Sequence, residues 1–394
     1  MSWRWQPPVL SPVSPRALVA GLWASVHSNG GSEAHVAELV RARFGAREAL
    51  LTDSGTSALV LAIRTLVRRG GTIALPAYGC IDLTAAALRA DVRVRLYDLD
   101  PFTLSPDLAS VDAVLGRGVD AIVVAHLYGY PADVVAVRAR AAVQGIPVIE
   151  DAAQGAGGTL RGALLGSLGD LAVLSFGRGK GTTGGSGGAL LTRDATMSAG
   201  LDRARHGLAS ARANGREVAA LAAQWLLARP SLYRVPASIP ALKLGEMVYR
   251  AAGEPRSIST TAAAILPAAL QMDPAEVRTR AAHASALLTH AEGGTHLRAV
   301  VPLEHGRSGY LRFAVLDNVG GVSARPGLGV VRGYPQTLAQ HAELQPILAG
   351  GERAGTGADL LRDRLLTLPT HSRVGRSDLE RLRRWIQMPS ATNA

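Results

Sequence analysis

Between residues 49 and 191 the sequence alternates short apolar runs with helical patterns, and this rhythm restricts the fold more than any other feature of the chain. Apolar runs of strand length fall at 49–51, 72–75, 92–97, 121–125, 147–149, 171–176 and 188–191, mostly separated by helical patterns such as 57–67, 83–89 and 134–143. Strands alternating with helices imply an α/β fold whose mainly parallel sheet is covered on both faces. Such sheets bind ligands beyond the carboxyl ends of their strands. A chain of 394 residues with 47% apolar content has ample material for that core and for a second domain.

Outside the alternation the pattern changes three times. Residues 1–33 are proline-punctuated and read as an extended arm with a short helix at 16–26, and 33–44 has helical spacing of apolar residues. Residues 209–253 break the rhythm with an Arg/Ala-rich helix and a proline-interrupted apolar patch. From 260 onward helical patterns dominate, with strand candidates at 310–315 and 365–369, the signature of a smaller α+β domain. The expected division is therefore an arm (1–33), a large domain (34–208), an insertion (209–253) and a small C-terminal domain (254–394).

The formal charge of +11 raises the question of nucleic acid, but the arginines are scattered through helical stretches and aromatics total 4%, so no basic, aromatic-interleaved block exists. The single cysteine, Cys80, excludes an intrachain disulfide, and no Cys/His cluster has zinc spacing. That cysteine usage suits a reducing cytoplasm, and since no apolar run reaches the length of a membrane span and the N-terminus lacks a leader pattern, the expectation is a soluble, cytoplasmic protein.

Three segments carry chemistry. Of the 42 basic side chains only Lys180 and Lys243 are lysines, and Lys180 sits in a glycine-rich turn between the apolar runs 171–176 and 188–191. Arginine cannot lose its proton near neutral pH, whereas a lysine amine can, and can form a Schiff base. Ser54-Gly55-Thr56-Ser57 lies between a strand and a helix, where free amides and hydroxyls suit a phosphate, although a simple helix cap needs the same residues. Asp151 closes the run Pro147-Val148-Ile149-Glu150-Asp151, well placed for a cationic ring nitrogen or, more plainly, for a cap or salt bridge. A phosphate cradle, an acid and a Schiff-base lysine are together the groups that pyridoxal 5′-phosphate (PLP) requires.

In order along the chain, Ser54-Gly55-Thr56-Ser57-Ala58-Leu59, Leu75-Pro76-Ala77-Tyr78, His126-Leu127-Tyr128-Gly129, Val148-Ile149-Glu150-Asp151-Ala152-Ala153-Gln154, Gly166-Ser167-Leu168-Gly169-Asp170, Ser175-Phe176 with Lys180, Gly187-Gly188-Ala189 and His206-Gly207-Leu208 resemble the DegT-type nucleotide-sugar aminotransferases. The resemblance covers roughly residues 35–208 and implies a three-layer α/β/α architecture, PLP fold type I. It implies that Lys180 binds the cofactor covalently and Asp151 pairs with its pyridine nitrogen. Gln154 would lie near its 3-hydroxyl, and Gly55, Thr56 and Ser175 would hold its phosphate. The implied reaction takes an amine from an amino acid, glutamate by preference, to a keto-sugar nucleotide, in surface-polysaccharide or secondary-metabolite synthesis. Relatives that dehydrate sugars carry histidine at the lysine position, so Lys180 points to transamination. A homodimer is implied as well.

Departures leave alternatives open. Where the family places an aromatic ring over the cofactor this chain has Cys80, with Tyr78 two residues earlier, so either could form that face. The family's asparagine that reaches the neighbouring subunit's phosphate is absent from Glu254-Pro255-Arg256-Ser257. A PLP enzyme acting on a non-sugar ketone, or a regulator that keeps the fold, are the other readings. Within 209–253, apolar residues including Val218, Leu221, Trp225, Leu226, Ile239, Leu242, Leu244 and Met247 are flanked by Arg212, Arg216, Arg229, Arg234, Lys243 and Arg250. That segment is expected to pack beside the substrate entrance, with contact to a partner or an anionic membrane surface as the alternative.

Overall fold

In the computed structural model, which describes residues 4–27, 31–209, 215–242, 248–291 and 296–388, each of the seven apolar runs is a strand of one sheet. Chain order is α1 (Pro15–Val26), α2 (Gly31–Phe44), β1 (Glu48–Thr52), α3 (Gly55–Leu66), β2 (Thr72–Pro76), α4 (Asp82–Ala90), β3 (Arg93–Tyr97), α5 (Leu108–Gly116), β4 (Ala121–Ala125), α6 (Val134–Ala142), β5 (Val148–Asp151), β6 (Leu171–Ser175), β7 (Gly188–Thr192), α7 (Ala195–His206) and α8 (Gly215–Leu227). The sheet runs β1-β7-β6-β5-β4-β2-β3, and only β7 is antiparallel to its neighbours.

The period of two along each strand sorts side chains between two helical layers. Leu50, Ile73, Leu75, Val123, Leu171, Val173 and Leu190 face one core, shared with α3 and α4. On the other face Ala49, Leu51, Ala172, Leu174, Ala189 and Leu191 pack on Val36 and Val40 of α2, while Ala74, Ile122, Val124 and Val148 pack on α5 and α6. Burial of each large aliphatic side chain stabilises this sandwich by about 1.5–3 kcal/mol. The three-layer α/β arrangement read from the sequence is the arrangement observed.

The C-terminal half continues with α9 (Thr260–Ala291), β8 (Leu297–Ala299), β9 (Phe313–Asp317), β10 (Val331–Arg332), α10 (Thr356–Arg364), β11 (Leu365–Leu368) and α11 (Arg376–Gln387). Its strands form an antiparallel sheet, β8-β9-β11-β10. Two differences from the sequence reading stand out. Helix does dominate here, but the sheet has two strands beyond those expected, because β8 and β10 have three and two residues and are too short to leave a periodic signal. The first expected strand starts at Phe313, since Tyr310 takes a left-handed φ of 42° and Arg312 donates its backbone N–H to the Tyr128 carbonyl instead. Helix α9 serves both cores: Ala262, Ala263, Leu266 and Leu270 pack under the large sheet, and Ala284, Leu287 and Ala291 under the small one.

Among its described residues the N-terminal arm is tied down at several points. Trp5 donates its backbone N–H to the Pro230 carbonyl, Gln6 Nε2 donates to Asp378 Oδ2 at 2.7 Å, and His371 Nε2 lies 2.8 Å from the Pro7 carbonyl. Among the described residues no helix is long and apolar enough to cross a membrane, and no group of three or more His, Cys, Asp or Glu is placed to hold a metal.

Candidate active site

Because β1, β2, β4, β5 and β6 run the same way, the segments that follow them open on one edge of the sheet. A cleft there encloses about 480 Å³ of non-atom space, part of it open to solvent, and its wall includes Gly55, Thr56, Cys80, His126, Asp151, Gln154, Ser175 and Lys180. Seven of the eight residues expected from sequence, that is Gly55, Thr56, Cys80, Asp151, Gln154, Ser175 and Lys180, thus meet at one place. Lys243, Arg212, Leu244 and Met247 lie outside the described residues.

Tyr78 is the exception and a correction. It is fully buried, its Oη accepts the Tyr334 backbone N–H at 2.7 Å, and it stands behind the cleft wall, so the nearby face is Cys80. The Cys80 Sγ is 3.4 Å from Asp82 Oδ2. Burial first, and then the Asp82 carboxylate, push its thiol up to about 12, so Cys80 is a neutral, polarisable wall.

At the start of α3 the Ser54 Oγ accepts the Ser57 amide at 3.1 Å. The first two amides, of Gly55 and Thr56, have no intrahelical acceptor. A Cβ on residue 55 would stand 2.6 Å from the Ser175 Cβ, so only glycine lets the helix start close on Ser175. Residue 188 is under the same constraint, since a Cβ there would meet the Ser54 carbonyl oxygen at 2.5 Å. Two amides and the hydroxyls of Thr56 and Ser175 are a donor set for a phosphate.

Asp151 ends β5. Its Oδ1 accepts the Ala153 amide at 3.0 Å, and its other oxygen takes no hydrogen bond from any described residue. Burial raises its pKa, with the Ala153 amide and then Lys180 pulling the other way. A desolvated carboxylate left half unpaired is a place for a cation, and this donor and acceptor chemistry fits the phosphate and pyridinium of PLP.

The backbone of the lysine turn is fastened from outside the sheet. Ser11 Oγ, in the arm, accepts the amides of Gly179 (2.9 Å) and Lys180 (3.1 Å), and Glu217 of α8 accepts from Ser186 (2.8 Å) and Ser259 (2.5 Å). No described residue of 209–253 lines the Lys180 cleft; Val218 and Leu221 are buried, and Leu221 packs against Ala17 and Ile265.

His126 and Glu150 form a pair that the sequence did not single out as functional. His126 Nδ1 accepts the Ala132 amide at 2.9 Å, so the ring proton sits on Nε2, which donates to Glu150 Oε1 at 2.9 Å. Glu150 also accepts the amides of Gly166, Leu168 and Gly169. Burial alone would raise its pKa, but these bonds, with His126 foremost, hold it below the usual carboxylate range. The pairing depends on β4 and β5 being neighbours, which spacing along the chain does not reveal.

Known proteins similar to this chain are aminotransferases and a PLP-binding dehydratase. An L-glutamine:2-deoxy-scyllo-inosose aminotransferase of Streptoalloteichus tenebrarius is 30% identical over 308 residues, 77% of this chain and 68% of that one. A UDP-N-acetyl-3-dehydro-alpha-D-glucosamine 3-aminotransferase of Acidithiobacillus ferrooxidans is 35% identical over 146 residues, 36% of this chain and 40% of that one. The solved GDP-4-keto-6-deoxy-D-mannose-3-dehydratase of E. coli, with bound hydrated PLP, superposes with a TM-score of 0.75 over 98% of this chain and 100% of that one. At 17% identity it shares the fold alone, PLP fold type I. The sequence profile of the DegT/DnrJ/EryC1/StrS aminotransferase family matches residues 17–305, well over half of the chain, and the protein belongs to that family of PLP-dependent aminotransferases.

Proposed function

We propose that the protein moves an amino group from glutamate to the ketone of a nucleotide-linked sugar, with PLP held by the cleft described above. The observation that carries this reading is the meeting of Lys180 and Asp151 in one cleft with the donors of Gly55, Thr56 and Ser175. When bound, PLP supplies an electron sink for a carbon that loses a proton. The amides of Gly55 and Thr56 and the Ser175 hydroxyl would bind its phosphate. Asp151 would keep a proton on its ring nitrogen, and Gln154 would meet its 3-hydroxyl. Lys180 Nζ would carry the cofactor at rest and, once displaced by the amino donor, take a proton from the donor's α-carbon. Cys80, kept as a thiol, would offer the ring a neutral face.

A second reading, a cyclitol ketone as acceptor and glutamine as donor, is favoured by the similarity to the L-glutamine:2-deoxy-scyllo-inosose aminotransferase of Streptoalloteichus. Both are tested by incubating the PLP-loaded protein with a panel of keto-sugar nucleotides and cyclitol ketones, each with glutamate or glutamine, and measuring amine product and 2-oxo acid. Turnover of a keto-sugar nucleotide with glutamate is expected. Turnover confined to a cyclitol ketone would establish the second reading, and none with any ketone would refute both.

A further inference from the structure

Gln154 is held at both ends by residues from different parts of the chain. Its Oε1 accepts the Tyr128 backbone N–H at 3.2 Å, and its Nε2 donates to the Tyr334 hydroxyl at 2.6 Å. A backbone N–H can only donate, so the amide oxygen must face Tyr128 and the NH2 group must face Tyr334. Tyr334 is itself fixed: its backbone N–H donates to Tyr78 Oη at 2.7 Å, and its ring lies with centroids 5.3 Å from that of Tyr78 and 5.4 Å from that of Tyr128. Tyr78 reaches that amide because residue 333 is glycine, where a Cβ would stand 2.2 Å from Tyr78 Oη.

The other anchor is equally constrained. Tyr128 holds a left-handed φ of 54°, which a bulky side chain adopts only under compulsion. The compulsion comes from the small domain: the Tyr128 carbonyl accepts the Arg312 amide at 3.2 Å, and the Gly129 carbonyl accepts the Gly309 amide at 2.8 Å and the Ser308 hydroxyl at 2.9 Å. Tyr334 follows β10 of the small sheet, so the path Tyr78–Tyr334–Gln154 leaves the large sheet, touches the small domain and returns to the cleft wall.

We propose that Tyr334, secured by Tyr78, is a positioning residue that orients Gln154, keeping its oxygen turned to Tyr128 and leaving the second Nε2–H as the group offered to the bound cofactor. Tyr334 does not line the cleft and acts through Gln154. An N–H donor favours an ionised acceptor oxygen on the ligand over a protonated one. The inference rests on the PLP reading above, and its test has a part that does not.

Tyr334→Phe removes only the hydroxyl, and Gln154→Ala removes its partner. In the cofactor-free protein, hydrogen exchange at the Tyr128 amide is expected to accelerate in Tyr334→Phe. PLP titration of wild type, both single variants and the double variant is expected to show Tyr334→Phe weakening binding about fivefold to tenfold when Gln154 is present, the loss of about one hydrogen bond. In the Gln154→Ala background the same change should cost less than about twofold, because coupled residues are not additive. Tyr78→Phe, which frees the Tyr334 backbone, should shift binding in the same direction and stands in if Tyr334→Phe unfolds. Unchanged exchange at Tyr128 overturns the proposal whatever the cofactor does. Equal weakening in both backgrounds overturns it too, leaving Tyr334 a packing residue. If exchange accelerates but wild type binds no PLP, the cofactor reading fails while the orientation of Gln154 by Tyr334 stands.

Discussion

Asp151 carries an electrostatic cost in the cofactor-free protein that its substitution should expose. Its folded pKa is raised, chiefly by desolvation, so the folded state holds the proton more tightly than the unfolded one. The stabilisation from that proton is complete below the unfolded pKa and is lost as pH rises through the folded one. Asp151→Asn cannot ionise, so cofactor-free Asp151→Asn should gain thermal stability over wild type on going from about pH 4 to about pH 8, while turnover with PLP falls by about a hundredfold or more. Melting curves at the two pH values and steady-state rates check both halves. Lys180→Arg keeps the charge but cannot bind an aldehyde covalently, so borohydride reduction of PLP-loaded wild type should label Lys180 and the variant should take no label. A phosphopyridoxyl peptide centred on Lys243 would reverse the assignment. These residues were legible because each lies at or just beyond the carboxyl end of a strand, the ligand-binding edge of the sheet. Tyr78 and Cys80 could not be told apart, since both follow β2 and only the packing of Gly333 against the Tyr78 hydroxyl decides which turns away.

At the level of elements, the lysine turn depends on a serine that belongs to neither flanking strand. Ser11→Ala would strand the part-buried amides of Gly179 and Lys180, at a cost below the about 1–3 kcal/mol of a fully buried unpaired donor. The variant should therefore melt earlier and bind PLP more weakly, by thermal scan and titration, while keeping wild-type far-ultraviolet dichroism. The seven large-sheet strands were readable because each alternates between two covered faces. The short strands β8 and β10 were not, and neither was the arm's role, because a single Ser11 hydroxyl has no periodic signature. Helix α9 was read as helical despite Pro267 and Pro274 inside it, but its division between two cores emerges only from tertiary packing.

For the whole molecule, a homodimer is the expected state, and light scattering of the PLP-loaded protein should return twice the chain mass; a monomer that binds PLP tightly would contradict it. The insertion leaves Leu226, Val235, Ile239, Leu242 and Val248 exposed in the single chain, apolar surface that an assembly would cover. The fastening of the lysine turn also has a kinetic consequence. Ser11 rides on an arm that is itself pinned to the far end of the chain, by Gln6 on Asp378 and by His371 on the Pro7 carbonyl. Contacts that close loops of this length form late, after local helices and neighbouring strands have assembled. Cofactor capture should then lag behind secondary structure when the protein refolds from denaturant with PLP present, with dichroism recovering first and cofactor absorbance after it. Removing the residues beyond about 370 should abolish the second phase and spare the first, so that a ribosome-bound chain acquires its sheet before it acquires a finished amine.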